Sequence, residues 1–225
     1  MRAPLSVIIT TLDAAAALPG CAAALIEGLE AGLVRELVIS DGGSGDATRN
    51  IAESLGARLV AGPRGRGRQL ARGAAAAGGD WFLFLHADTR LPAGWTAAVR
   101  RHMAERPGHA AAFRLAFEGN CWQGRLIAGG ANLRSRLFDL PYGDQGLLIS
   151  RRLYAETGGY PAIALMEDVA LARALKGRID LLEAIAVTSG ARYREQGWMR
   201  RAAGNLWRLG RYLAGADPER LARRY

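Results

Sequence analysis

Residues 81–85 read Trp-Phe-Leu-Phe-Leu, and the run stops at His86-Ala87-Asp88. Five large apolar residues in succession, with Gly78-Gly79 before them and polar residues after, describe a strand buried on both faces. Such strands lie in the interior of parallel sheets. Open α/β sheets bind ligands just outside the carboxyl ends of their strands. Asp88 therefore stands where a cation or a phosphate is met.

The neighbouring segments fit the same sheet. Residues 5–10 (LSVIIT), 36–40 (ELVIS) and 57–61 have the pattern of three earlier strands. Helices are expected over 18–31, with Pro19 near the start, over 46–55, capped by Ser44 or Asp46, and from the arginine-rich loop to about Ala77. This alternation predicts βαβ units, hence an α/β fold with a mainly parallel central sheet flanked by helices. Further on, helices are expected over 92–106, 166–176 and 197–214, and strands over 110–117, 146–150 and 181–188. No repeat or low-complexity linker interrupts the chain. One domain over 1–195 is expected, with a basic amphipathic helical appendage over 196–225 packed on it.

A chain of 225 residues suits one domain of this kind and needs no disulfide staples. Cys21 and Cys121 lack metal-ligand spacing and are expected reduced and packed. No apolar stretch approaches the ~18 residues of a membrane span, and no signal-peptide core follows Met1. A cytoplasmic location is expected. The net charge is +9, and Lys176 is the only lysine among 30 basic residues. Residues 192–225 carry +6 of that charge, a bias that points to nucleic acid, an anionic membrane or a phosphorylated ligand.

Four constellations carry chemistry. Asp41 ends the second strand and precedes Gly42-Gly43. Its carboxylate only accepts hydrogen bonds, so it suits the ring N–H of uracil, thymine or guanine; equally, it suits the backbone N–H groups of a turn. The loop 62–72 holds Arg64, Arg66, Arg68 and Arg72 and no acid. Arginine forks and a helix N-terminus both favour phosphate, and the plain alternative is a solvated basic loop. Gly65-Arg66-Gly67 begins a dinucleotide-binding fingerprint, but Leu70 stands in place of the third glycine and the loop follows the third strand, not the first. Asp88, with His86 two residues before it, is a candidate for a divalent cation. Mg²⁺ needs only one or two carboxylates plus substrate phosphates, and an imidazole suits Mn²⁺ better. Glu167-Asp168 open a helix. Neighbours there diverge by about 100°, so only one acid faces a pocket; the plain reading is first-turn acids favoured by the helix dipole. Finally, Trp198, Met199, Leu206, Trp207, Leu209 and Leu213 alternate with arginines at helical spacing. Such a helix lies on an anionic membrane or packs on its own protein, and packing is the commoner use.

Taken in order, these motifs resemble the family 2 glycosyltransferases of the GT-A fold: VIITTLD, DGGS, the Arg-Gly loop, FLHADT and MEDVALARAL, over essentially the whole chain. The similarity looks closest to a bacterial subset labelled arsenosugar-biosynthesis glycosyltransferases. Its pattern appears here as PRGRxRQ at 63–69, FLHADT at 84–89, GDQ at 143–145, MEDxxLxRxL at 166–175, a TSxR-like run at 188–192 and a DPERLARxY-like end at 217–225.

The resemblance implies metal-dependent, inverting transfer of a sugar from a nucleoside-diphosphate sugar (UDP-, GDP- or dTDP-linked) to an acceptor hydroxyl, with Mn²⁺ or Mg²⁺ as cofactor. Asp41 matches the acid that contacts the base, with Gly42 beside it. Arg68 matches an arginine of the nucleotide site. Asp88 matches the last acid of the DxD motif, which binds metal and diphosphate, while His86 replaces the first. Asp168 matches the general base. Gln145, Glu167 and Arg192 fall on the acceptor side, and Gly143-Asp144 and Arg151-Arg152 are further candidates there. The acceptor is a small or lipid-linked molecule.

Two departures stand out. Thr10-Thr11-Leu12-Asp13-Ala14 replaces a Pro-x-x-Asn-Glu segment, and of the QxxRW motif only Arg192-Tyr193 remains, so polymer synthesis and extrusion are not expected. A nucleotidyltransferase would need a glycine-rich first loop that is missing here. A nucleic-acid binder would need a module signature, and none appears. Peripheral membrane contact through the C-terminal helix stays open.

Overall fold

The computed structural model describes residues 3–222. Eight strands form one sheet in the order β3-β2-β1-β4-β7-β6-β8-β5. Its first half is parallel throughout: β3 (Arg58–Ala61), β2 (Val34–Asp41), β1 (Leu5–Thr11) and β4 (Trp81–His86). Trp81 to Leu85 are all buried, as a run apolar on both faces demands. The second half is mixed, and the sheet as a whole is mainly parallel, as expected. β7 (Leu147–Ser150) runs antiparallel to both β4 and β6 (Ala110–Phe117), β6 runs parallel to β8 (Ile179–Thr188), and the two-residue β5 (Thr89–Arg90) runs antiparallel to β8. Antiparallel pairing needs no crossover helix, so β5 reaches Thr188 although it starts only three residues past the end of β4.

Side chains alternate across the sheet with period two. Val7, Ile9, Leu83, Leu85 and Phe113 pack on one face with Trp95 of α5 (Trp95–Glu105) and with Leu18 and Leu25 around α1 (Leu18–Ala23) and α2 (Ile26–Glu30). Ile8, Phe82, Phe84 and Ile149 pack on the other with α4 (Arg66–Ala76) and α8 (Glu167–Ala174). The single helix expected over 18–31 is thus two short ones. α3 (Thr48–Ser54) falls within its expected span. Cys21 is buried, Cys121 is partly buried and both are free.

Two helices ahead of α8 had no counterpart in the sequence pattern. One is α7 (Arg151–Glu156), capped by the Ser150 hydroxyl, which accepts from the Leu153 N–H at 3.2 Å. The other is α6 (Trp122–Phe138), 17 residues long. α6 is inverted relative to an ordinary surface helix. Gly124, Ala128, Ala131 and Ser135 face the body, while Trp122, Leu126, Leu133 and Leu137 face outward. Small residues let a helix axis approach its support closely, but here they leave the large side chains on the far face.

The chain closes with α9 (Ala191–Gln196), α10 (Trp198–Leu213) and α11 (Pro218–Ala222). Trp198 stacks on Tyr193 and meets Phe117 edge-on, each at 5.1 Å between ring centroids. Leu209 is buried with Met166 and Val169. These anchors hold α10 to the body. Residues 223–225, the end of the 217–225 motif, lie outside the described residues. Among the described residues no helix is long and apolar enough to cross a membrane.

Candidate active site

Strand register sets the site. Thr11 pairs with Asp41 and Thr10 with His86, so the carboxyl ends of β2, β1 and β4 lie along one edge. Past that edge, between β4, the end of β8, α8 and α10, lies a cavity of about 240 Å³. Its charged lining includes Asp88, Asp144 and Asp168 against Arg66 and Arg192.

Arg66 reaches the cavity because of two glycines. A Cβ on Gly67 would strike the carbonyl oxygen of Pro161, so only glycine lets the first turn of α4 press on that loop. A Cβ on Gly143 would overlap the Arg66 guanidinium and crowd His86. Seated there, Arg66 places Nε 2.8 Å from Glu167 Oε1 and Nη2 3.7 Å from Asp168 Oδ2. Its Nη2 also lies 2.5 Å from His86 Nε2. A guanidinium only donates, so His86 Nε2 is the acceptor and the imidazole is neutral with its proton on Nδ1. Burial, then Arg66 and Arg192, hold the imidazole pKa well below its usual value. In this arrangement Nε2 faces a proton donor.

Asp168 is 14% exposed in its side chain. Oδ2 accepts from the Gly143 N–H at 2.9 Å and Oδ1 from the Val169 N–H at 2.8 Å. Glu167 is 1% exposed. Burial pushes its carboxyl pKa up, Arg66 opposes that, and Asp168 adds to it. The αL backbone of Met166 (φ 67°), unusual for a non-glycine residue, turns the chain into α8 and sets both acids at the helix start. Asp88 is raised in pKa by burial in the concave wall, against the pull of Arg192 and Arg66.

Asp144, named from the GDQ motif only as a further acceptor-side candidate, lines the cavity. Burial drives its pKa up to about 6, with Asp168 and Asp88 adding to the rise and Arg134 and Arg66 resisting it. Its Oδ1 is buried without a hydrogen-bond partner. Arg66 likewise was one of four loop arginines that the sequence left undistinguished.

Other expected residues lie outside the cavity lining. Asp41 sits on the same edge two strands from β4 and is fully buried. Its oxygens accept from Thr11 Oγ1, Gly43 N, Ser44 N, Ser44 Oγ and Arg49 Nε. Burial alone would raise its pKa, but these bonds, led by Ser44, bring it down to about 2. All five donors belong to the protein itself, from β1 and the 43–49 turn. Gly42 carries no side chain because the Gln69 amide fills that space; Gln69 Nε2 donates to Thr11 O at 2.8 Å and to Ser40 O at 3.0 Å. Arg68 is exposed on the first turn of α4. Gln145, expected on the acceptor side, is fully buried. Its Oε1 accepts from Ser135 Oγ at 2.7 Å and its Nε2 donates to Phe113 O at 3.1 Å, which ties α6 to β6. Arg151 also turns inward, donating to Gly79 O at 2.9 Å.

Among the described residues no three His, Cys, Asp or Glu side chains cluster closely enough to hold a metal by themselves. A magnesium-type ion does not need three, because one carboxylate, water and two diphosphate oxygens suffice. Asp88 would supply the carboxylate for such an ion, and the Asp144 oxygen without a hydrogen-bond partner would suit one of its ordered waters.

Known proteins agree with this geometry. Residues 6–157 match the model of Glycosyl transferase family 2. Curated relatives are the PGL/p-HBAD biosynthesis glycosyltransferases of Mycobacterium tuberculosis and Mycobacterium bovis, 40% identical over 99 residues. The match spans 40% of this chain and 38% of theirs. These relatives replace the arsenosugar subset as the comparison the sequence supports. Among solved structures, S. aureus TarS in complex with UDP-GlcNAc superposes with a TM-score of 0.62 at 15% identity, over 83% of this chain and 58% of that one. Glucosyl-3-phosphoglycerate synthase from Mycobacterium tuberculosis, in complex with Mn²⁺, UDP and its product, gives 0.55 at 22% identity, over 83% and 70%. The likeness to these structures shows the GT-A fold. The match to the family model covers more than half of the chain, and the chain belongs to glycosyl transferase family 2.

Proposed function

We propose that this chain transfers a glycosyl group, with inversion, from a UDP-sugar held at Asp88 to an acceptor hydroxyl deprotonated by Asp168. The observation that carries the proposal is that both acids line one cavity together with Arg66 and Arg192. A carboxylate beside two guanidiniums is the pattern a metal-bound diphosphate needs. UDP is the nucleotide bound to the two structural relatives above, and one of them holds Mn²⁺.

Asp88 would hold the Mn²⁺ or Mg²⁺, which supplies electrostatic stabilisation of the departing diphosphate. Arg66 and Arg192 add fixed positive charge where that negative charge develops. Asp168 keeps a partly exposed carboxylate edge toward the cavity, while backbone N–H groups fix its orientation. From there it takes the proton of the attacking hydroxyl. Glu167 holds Arg66 in place. We assign Asp41 to the 41–49 loop and the cavity wall along α10, with Asn205 and Arg208, to the acceptor side. Residues 1–195 then form the catalytic body, and 196–225 the appendage that completes its wall.

Asp168→Asn tests the assignment. Calorimetry should show UDP binding with Mn²⁺ close to wild type, while turnover, followed by UDP release, falls by ~10²–10⁴, the usual worth of a general base. A variant that turns over at the wild-type rate removes Asp168 from the chemistry.

A further inference from the structure

The inverted helix α6 presents a problem for a protein surrounded by water. Leu126 is 59% exposed, Leu133 57% and Leu137 61%. With Trp122, they follow spacings of four and seven residues and so share one face. α10 repeats the arrangement. Met199, Leu206 and Leu213, seven residues apart, are all exposed, with Trp207 beside them, while its opposite side packs on the body and lines the cavity. The two helices pack against each other where the Trp198 ring closes over Gly124. Water-facing monomer surfaces rarely carry apolar patches of this extent.

Charge decides what covers them. Neither helix contains an aspartate or a glutamate, and Arg125, Arg136, Arg200 and Arg211 are exposed beside the apolar rows. A second copy of the chain seated face to face would set arginine against arginine, with no acid on either helix to answer them. An anionic lipid surface offers both what the leucines need and what the arginines need, and tryptophan suits the boundary between them.

We propose that the outward faces of α6 and α10 form a docking surface for an anionic bilayer. The surface holds the protein at the lipid headgroups, with the cavity behind α10. The proposal rests on these two faces and not on the assigned chemistry of the cavity.

The test is co-sedimentation of the full chain with vesicles of phosphatidylcholine alone or mixed equally with phosphatidylglycerol. Wild type should partition into the anionic vesicles at least ~10-fold more strongly, since each basic residue at such a surface contributes severalfold. The double variant Leu126→Glu/Leu133→Glu on α6 and the single variant Leu206→Glu on α10 should each lower that partition ~10-fold or more. Because these side chains already face water, melting temperature and UDP affinity should stay at wild-type values, which separates a failure here from a failure of the proposed transfer. Equal wild-type binding to both vesicle types, or no binding, would overturn the proposal. So would wild-type partition in either variant. A concentration-dependent dimer that Leu133→Glu dissolves would assign the face to a second copy instead.

Discussion

Asp144 is a side chain whose state depends on its surroundings. Its folded-state pKa of about 6 lies above the ordinary aspartate value of 3.8. A raised pKa means that the folded protein holds the proton more tightly than the unfolded chain does. The stability this provides is complete below the unfolded value and is lost as pH rises through about 6. At pH 8 the ionised carboxylate then costs the metal-free protein up to about 3 kcal/mol. Asp144→Asn should therefore melt higher than wild type at pH 8 and level with it near pH 3; a variant that melts lower at pH 8 would show that the carboxylate has a fixed partner. Residues such as this were the least legible from sequence. Asp88 and Asp168 stood out because each closes an apolar run or opens a helix. Asp144 sits in a 3-10 turn between α6 and β7, where no periodicity marks what faces inward. Asp41 showed the opposite difficulty. The sequence left the base and the turn equally open, and nothing in the pattern of residues foretold the five donors around it.

At the scale of elements, the placing of Arg66 depends on how closely α4 can approach the 161–163 loop. Gly67→Ala puts a methyl against a backbone carbonyl that has no rotamer to escape into. The helix start must shift, at a cost of about 1–3 kcal/mol, and Arg66 moves with it. The expected result is a lower melting temperature together with weaker UDP binding. Gly129→Ala is the control. Nothing lies within 4 Å of that Cβ, and alanine in mid-helix is favoured over glycine by roughly 0.5–1 kcal/mol. It should melt at or above wild type with UDP affinity intact; if both variants behave alike, close packing at Gly67 is not what sets Arg66. The same glycine pair, Gly129-Gly130, explains why α6 escaped the sequence reading. Two breakers in the middle of a run suggest a loop, and the leucine period around them points away from the core, where a core-seeking reading has no use for it.

For the whole molecule, the half of the sheet built from β3, β2, β1 and β4 was legible because each strand is an apolar run followed by a helix. In the other half the strands β6, β7 and β8 were expected close to where they lie, but β5 and the order of pairing were not legible, because those pairings join segments from 89–90 to 188 without a local signal. The net charge of +9 attracts polyanions of every kind, so binding alone does not identify the ligand. Thermal unfolding does. UDP with Mn²⁺ should raise the melting temperature more than UDP alone, by about 2.7 kcal/mol of stability at a hundredfold excess over the dissociation constant. A single-stranded oligonucleotide should give a smaller shift that salt removes. The reverse ranking would favour a nucleic-acid ligand over a nucleotide sugar.

α10 is a party wall. Asn205 and Arg208 look into the reaction chamber from the same four-turn helix that shows Leu206 and Trp207 to the outside. Any force that tilts or rolls this helix from without must redraw the chamber within. On the proposed function, the rate of transfer would follow the state of the exterior, with no separate messenger needed between them.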